Sequence, residues 1–115
     1  MERVRLSERV AFQEGKMGRH RLAATARLHL DLYCLRPGQS QAAHVHGEQD
    51  KLYVGIEGRA RIRVGAEVEW LEPGVLVVAP AGVEHGLENP TEAPCVALVV
   101  VVPPPPHASA SSSRV

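Results

Sequence analysis

Apolar and polar side chains alternate along much of this chain. Between residues 27 and 34, one face carries Leu28, Leu30, Leu32 and Cys34, and the other carries Arg27, His29, Asp31 and Tyr33. A repeat of two is typical of a β-strand. The second face has two interpretations: it lines the interior of a barrel, or it faces solvent.

Similar patterns predict further strands. Apolar residues alternate again over 52–56, and continuous apolar runs cover 75–79 and 95–102. Turns rich in glycine and proline separate these segments, for example at 36–38 and 72–74. Many short strands at regular spacing favour an all-β sandwich or barrel of antiparallel strands.

One hairpin can be predicted in detail. A three-residue loop over 65–67 sets Val64 opposite Val68 and Ile62 opposite Trp70. This register places apolar side chains on one face of both strands.

The two ends of the chain carry weaker patterns. Residues 4–12 alternate loosely and predict an edge strand, and residues 13–24, with two glycines and several charges, predict a loop. We therefore expect 1–25 to add a strand and a loop to a barrel formed by 26–102. Residues 103–115, four prolines followed by a serine-rich stretch, predict a disordered tail.

Composition narrows the classes of function. A length of 115 residues suits one domain. The balance of 13 basic and 13 acidic residues argues against nucleic acid or an anionic membrane surface as a partner.

The longest apolar run is far shorter than the roughly 20 residues that cross a bilayer, so we expect a cytoplasmic protein. Cys34 and Cys95 lie in apolar runs and are expected to be buried thiols.

Three histidines carry the clearest candidate chemistry. His44 and His46 are two residues apart, so in a strand they point to the same side, and His85 follows a Pro-Ala-Gly turn that can aim it inward. Imidazole is a good ligand for Zn, Fe, Mn, Ni and Cu. The spacing predicts one divalent transition metal ion held by these three residues.

The glycines and prolines around these histidines complete two motifs. The first motif is formed by Gly38, His44, His46 and Gly58, and the second by Gly74, Pro80, Gly82, His85 and Asn89. Their order and internal spacing resemble the cupin superfamily, in particular its small single-domain members. The resemblance covers residues 28–102 and implies a double-stranded β-helix, or jelly-roll barrel, with the pocket inside.

The position of the fourth metal ligand departs from the cupin pattern. The glutamate usual in cupins would fall on Lys51, and a protonated ammonium cannot ligate a metal. Asp50 ranks first as a replacement, Gln49 second and Glu48 third, and a three-histidine site completed by water is the alternative. Lys51 is itself a candidate base or Schiff-base amine, or it pairs with Asp50 at the barrel mouth.

The resemblance implies a metal-dependent enzyme that acts on a small organic molecule, as a dioxygenase, isomerase, lyase or cyclase. Tyr53 has the strand parity of Lys51 and is a candidate proton donor to the substrate, or a structural tyrosine. The alternative is a non-catalytic protein that binds or senses a small ligand or sugar. We also expect a homodimer, partly because the resemblance to cupins implies one and partly because the apolar residues 96–102 would form a hazardous edge if left uncovered.

Overall fold

The computed structural model describes residues 1–45 and 47–104. These residues contain strands and one short 3-10 helix but no α-helix. In chain order the elements are the 3-10 helix Leu6–Glu8, β1 Gly18–Ala24, β2 His29–Leu35, β3 Ser40–His44, β4 Asp50–Glu57, β5 Ala60–Val64, β6 Glu67–Leu71, β7 Leu76–Ala79, β8 His85–Glu88 and β9 Cys95–Val102. Within this part of the chain, no helix is long and apolar enough to cross a membrane.

Two antiparallel sheets enclose the main core. Their strand orders are β1-β2-β9-β4-β7 and β3-β8-β5-β6. Buried side chains from both sheets pack between them, including Tyr33 and Tyr53 of the first sheet and Ile62 and Leu87 of the second. This is the antiparallel β-architecture that the strand pattern predicted. His29, Asp31 and Tyr33 belong to the inward face of β2, which decides between the two interpretations of that face.

The N-terminal segment is not an edge strand. Residues 4–12 contain a single 3-10 turn, and their apolar side chains Val4, Leu6, Val10 and Phe12 pack on a second buried cluster outside the first sheet. That cluster includes Leu22, Leu32 and Val96. The loose alternation therefore reflects a segment that covers the outer face of a sheet, and its apolar side chains need no strand partner.

The loop expected over residues 13–24 was also wrong in its second half. Gly18–Ala24 forms β1, which pairs with β2 from Gly18 opposite Cys34 to Ala24 opposite His29. The sequence did not predict this strand because the charged residues of β1 interrupt any alternation of apolar and polar side chains. Arg21 binds the buried carboxylate of Asp31 through its Nε, at 2.5 Å, so a charged strand is stabilised by a partner 10 residues away.

The hairpin register differs from the prediction by one residue. Gly65 has a φ of 61°, which allows a two-residue turn, and Val64 pairs with Glu67 instead of Val68. Trp70 therefore lies opposite Arg61 and not opposite Ile62. Ile62 is buried in the core, while the Trp70 ring lies beneath the guanidinium group of Arg59, whose Cζ is 4.1 Å from the ring centroid.

The last strand has the predicted bounds but not the predicted position. β9, Cys95–Val102, pairs with β2 on one side and with β4 on the other. It is a central strand, so the argument that an uncovered edge here requires a homodimer was wrong. Both cysteines are buried free thiols, as expected.

Candidate functional site

Two of the three candidate histidines lie side by side on adjacent strands of the second sheet. His44 ends β3, His85 begins β8, and the two residues are direct partners in the antiparallel register. Directly opposed residues of an antiparallel pair project to the same face. Their ring centroids are 4.7 Å apart, with the planes tilted by 56°.

Backbone carbonyls orient both rings in the same way. The Nδ1 atom of His44 is 2.8 Å from the carbonyl oxygen of Ala42, and the Nδ1 atom of His85 is 3.0 Å from that of Val83. A carbonyl oxygen only accepts, so each Nδ1 carries the hydrogen and each Nε2 carries the lone pair. Burial lowers the pKa of His85, which favours this neutral form.

The third histidine, His46, lies outside the described residues, so its predicted place beside His44 stays a prediction. Among residues 1–45 and 47–104, no three His, Cys, Asp or Glu side chains form a group able to hold a metal ion. The described part of the candidate metal site therefore consists of two imidazoles.

The structure separates the three candidates for the fourth ligand. Asp50, ranked first, is exposed, and its Oδ1 accepts a hydrogen bond from the Ala81 amide at 2.9 Å. Strand alternation places its side chain on the face of β4 opposite to that of Lys51, and its role as a ligand stays a prediction. Gln49, ranked second, is buried and lines the same cavity as His44, whereas Glu48 is exposed.

This cavity has a volume of about 360 Å³ and lies at the end of the barrel where β1 to β4 meet. The side chains that line it are Met17, Arg19, His29, Asp31, Gln41, Ala42, His44, Gln49, Lys51 and Val101. Such a volume suits a small organic ligand. The lining combines one imidazole of the histidine pair with several charged and amide groups.

Lys51 occupies the inner wall of the cavity. Its side chain is only 5% exposed, and burial, with a further contribution from the charge of Arg19, lowers its pKa to about 8. Its Nζ lies 5.3 Å from the ring centroid of Tyr33 and 5.6 Å from that of Tyr53. The interpretation in which Lys51 pairs with Asp50 was wrong, because the two side chains lie on opposite faces of β4 and form no ion pair.

Tyr53 is fully buried behind the cavity. Its hydroxyl donates to Oε1 of Gln41 at 2.9 Å, and the Nε2 of Gln41 donates to the Tyr33 hydroxyl at 3.1 Å. Burial raises the pKa of Tyr53 far above its ordinary value. The phenol therefore stays protonated and holds Gln41 in place, which corresponds to the structural interpretation of this tyrosine.

A comparison with models of protein families identifies the family of this chain. The model of the cupin domain matches residues 31–101, which is more than half of the chain. The chain belongs to the cupin family. The two motifs around His44 and His85 are thus the cupin motifs that the sequence resembled.

Solved structures support the same assignment of the fold. A protein of Thermus thermophilus is 40% identical to this cupin, with a TM-score of 0.89 over 91% of this chain and 100% of the other. An uncharacterised double-stranded β-helix protein of Klebsiella pneumoniae is 27% identical, with a TM-score of 0.82 over 90% of each chain. The architecture is therefore a double-stranded β-helix.

An uncharacterised protein of Streptomyces coelicolor is 38% identical to this cupin over 61 residues. The matched segment covers 53% of this chain and 57% of that relative. The match therefore spans little more than half of the relative's length.

The described donors fit a metal ion in part. The Nε2 atoms of His44 and His85 present lone pairs on one face, and the buried amide of Gln49 can supply an oxygen. The nearby ammonium of Lys51 would repel a metal cation, and its charge is one of the influences that lower the pKa of His85. A metal bound here would therefore lie close to a positively charged side chain.

Sequence reasoning missed three polar residues of the cavity, namely Arg19, Asp31 and Gln41. A signal existed for Asp31, because it shares the parity of Tyr33 within an otherwise apolar strand. No comparable signal marked Arg19, which lies in the segment expected to be a loop. Gln41 is recognisable only from its two hydrogen bonds to tyrosines.

Proposed function

We propose that this cupin binds a divalent transition metal ion through His44, His46 and His85 and acts on a small organic molecule in the adjacent cavity. The metal would be Zn, Fe, Mn, Ni or Cu, and the reaction one of the dioxygenase, isomerase, lyase or cyclase types. A bound metal supplies Lewis-acid or oxygen chemistry. The cytoplasmic location also stays a prediction.

The shared orientation of His44 and His85 carries this proposal. The two imidazoles are directly paired, and each holds Nδ1 on a backbone carbonyl, which leaves Nε2 as the nitrogen whose lone pair can bind a metal. Packing in a core requires no such matched orientation. The cavity beside them provides space for a substrate within reach of the same face.

The other polar residues have roles that follow from their positions. Gln49 is the described candidate for an oxygen ligand, and Lys51 is placed to bind an anionic group of the substrate or to move a proton at its Nζ. Tyr53 acts through Gln41 as a positioning residue, because its hydroxyl is already donated. Asp50 stabilises the turn before β8.

Metal analysis of untagged protein purified without chelators tests the proposal. We expect about one transition metal ion per chain, and we expect His85→Ala and His44→Ala each to lower the metal content at least about tenfold. His20→Ala is the matched control. His20 contacts the Ala11 carbonyl and lies outside the cavity lining, so its replacement should leave the metal content unchanged.

Absence of stoichiometric metal in the natural protein, or equal metal content in His85→Ala and His20→Ala, would contradict the metal-dependent function. Thermal unfolding of each variant separates loss of a ligand from loss of the fold. If the protein binds small molecules without metal, the non-catalytic ligand-binding alternative is favoured. That alternative is supported by the buried ammonium of Lys51 in the cavity wall.

A further inference from the structure

The charges around the cavity do not balance. Among the described residues that line the cavity, the one carboxylate is that of Asp31, and it lies near Arg19 and Lys51 of the lining and Arg21 behind it. Arg21 binds the Oδ1 atom of Asp31, and Arg19 is 3.7 Å from its Oδ2. The cluster therefore holds an excess of positive charge at the end of the barrel that contains the cavity.

The Lys51 ammonium has no anionic partner in close contact among the described residues. Within residues 1–45 and 47–104, no carboxylate lies within ion-pair distance of its ammonium and no hydrogen bond to it forms. The faces of Tyr33 and Tyr53 offer only weak compensation at more than 5 Å. A buried charge without a partner is costly, and a bound anion would remove that cost.

Asp31 contributes an acceptor to the same cavity. Its side chain is 2% exposed, and its Oδ2 is buried without a hydrogen bond among the described residues. The Arg19 Nε at 3.7 Å is too far for a hydrogen bond. A ligand hydroxyl placed in the cavity could donate to this oxygen, and a buried acceptor strongly favours such a donor.

We infer that the cavity recognises a small hydroxylated carboxylate, with the carboxylate on Lys51 and Arg19 and a hydroxyl on Asp31. The inference deepens the proposed function, because it names the class of molecule bound at the same site. A neutral polyol leaves the Lys51 ammonium without a counter-charge. A phosphate ester brings a second negative charge close to the Asp31 carboxylate, and this repulsion disfavours it.

Isothermal titration calorimetry with three matched probes tests the inference. Gluconate carries a carboxylate and hydroxyls, sorbitol lacks the carboxylate, and hexanoate lacks the hydroxyls. We expect gluconate to bind at least about tenfold more tightly than either of the others, because only gluconate satisfies both buried groups. Glucose 6-phosphate tests the phosphate alternative and should bind more weakly than gluconate.

Two variants test which residue binds the carboxylate of the ligand and which binds its hydroxyl. Lys51→Met retains the bulk of the buried stem and should weaken gluconate binding at least about tenfold. Asp31→Asn should reduce the preference for gluconate over hexanoate while hexanoate still binds. Lys16→Met changes the only other lysine, which is exposed, and should alter neither affinity. Thermal unfolding confirms that each variant is folded.

The titrations are run on the protein as purified and after chelator treatment, because gluconate itself binds metals. A preference for gluconate that depends on Lys51 in both samples supports the inference whatever the metal content. Equal binding of sorbitol, unchanged binding in Lys51→Met, tighter binding of glucose 6-phosphate, or no binding of gluconate at millimolar concentration overturns it. The metal analysis of the histidine variants tests the proposed function separately.

Discussion

At the scale of single residues, Lys51 is the most unusual feature of this cupin. Lys51 stands where the cupin pattern has a glutamate, so it places a positively charged ammonium beside two imidazoles that are oriented to bind a metal ion. Its ammonium lies 5.3 Å from the ring centroid of Tyr33 and 5.6 Å from that of Tyr53, and it forms no ion pair among the described residues. Such a group lowers the stability of the unliganded fold unless a ligand compensates its charge.

The depressed pKa of Lys51 predicts a specific pH dependence. Below pH 8 the folded and unfolded chains both carry the proton, whereas between pH 8 and the ordinary value of 10.5 only the unfolded chain does. The contribution of Lys51 to the free energy of unfolding therefore rises with pH across this window, by about 3 kcal/mol. The buried thiol of Cys95, whose pKa is raised to about 11, contributes in the opposite direction, so the effect of Lys51 is measured as a difference between the natural protein and a variant. Lys51→Met lacks this titration and should be about 3 kcal/mol more stable than the natural protein at pH 7.

Urea unfolding from pH 7 to 10.5 in a buffer free of organic anions measures this difference. The advantage of Lys51→Met should shrink above pH 8, because Lys51 of the folded natural protein loses its proton there. Lys16→Met should follow the natural protein at every pH, because Lys16 is exposed. A constant difference between Lys51→Met and the natural protein across the window would contradict the prediction.

At the scale of the elements, close backbone contacts position the strands that carry the site. Gly55 lies in β4 where the chain passes the turn before β7, and its amide donates to the Val75 carbonyl at 2.9 Å. The Gly74 amide donates back to the Gly55 carbonyl at 3.0 Å. A Cβ atom at residue 55 would come within 2.0 Å of the Glu72 carbonyl oxygen, so only glycine fits there.

Gly55→Ala should therefore destabilise the protein by at least about 3 kcal/mol, since the obstructing atom belongs to backbone and cannot move aside alone. Gly47→Ala is the matched control, because a Cβ at residue 47 meets no atom within 4 Å and the residue has no positive φ. Denaturant unfolding of both variants measures the effect. Similar stability of the two variants would show that the β4 contact is unimportant.

At the scale of the whole molecule, an apolar outer face replaces the β9 edge as the basis for a homodimer. On the outside of the first sheet, Leu52 of β4 pairs with Val78 of β7 and with Val100 of β9. Val54 pairs in the same way with Leu76 and Leu98. Leu76 and Val78 are about half exposed. The N-terminal segment covers another part of this outer face, around Leu32 and Leu98, and the apolar side chains that stay exposed on β7 favour association.

We predict that two copies of the chain associate through this face. Leu76→Glu should shift the protein to a monomer, because a carboxylate would be buried in the apolar contact. Val68→Glu, on β6 of the other sheet and similarly exposed, should leave the dimer intact. Sedimentation analysis measures the mass, and a monomeric natural protein, or dissociation only in Val68→Glu, would contradict the prediction.

The local pattern of the sequence was enough for the family, most of the strands and part of the site. Alternation over two residues depends only on the chain itself, and turns such as the one at Gly38 depend on local backbone preferences. For these reasons β2, β4 and β9 were predicted within one or two residues, and His44 and His85 do lie side by side. The role of His46 stays a prediction.

Only the tertiary structure decided which charged groups enter the cavity. β1 forms because a distant strand offers backbone partners and a buried Asp31, and neither is visible in its own residues. The Asp50 carboxylate accepts a hydrogen bond from the Ala81 amide, whereas its neighbours Gln49 and Lys51 line the cavity. Hydrogen bonds and ion pairs between residues far apart in sequence depend on how strands are ordered in the sheets, and alternation along one strand does not determine that order.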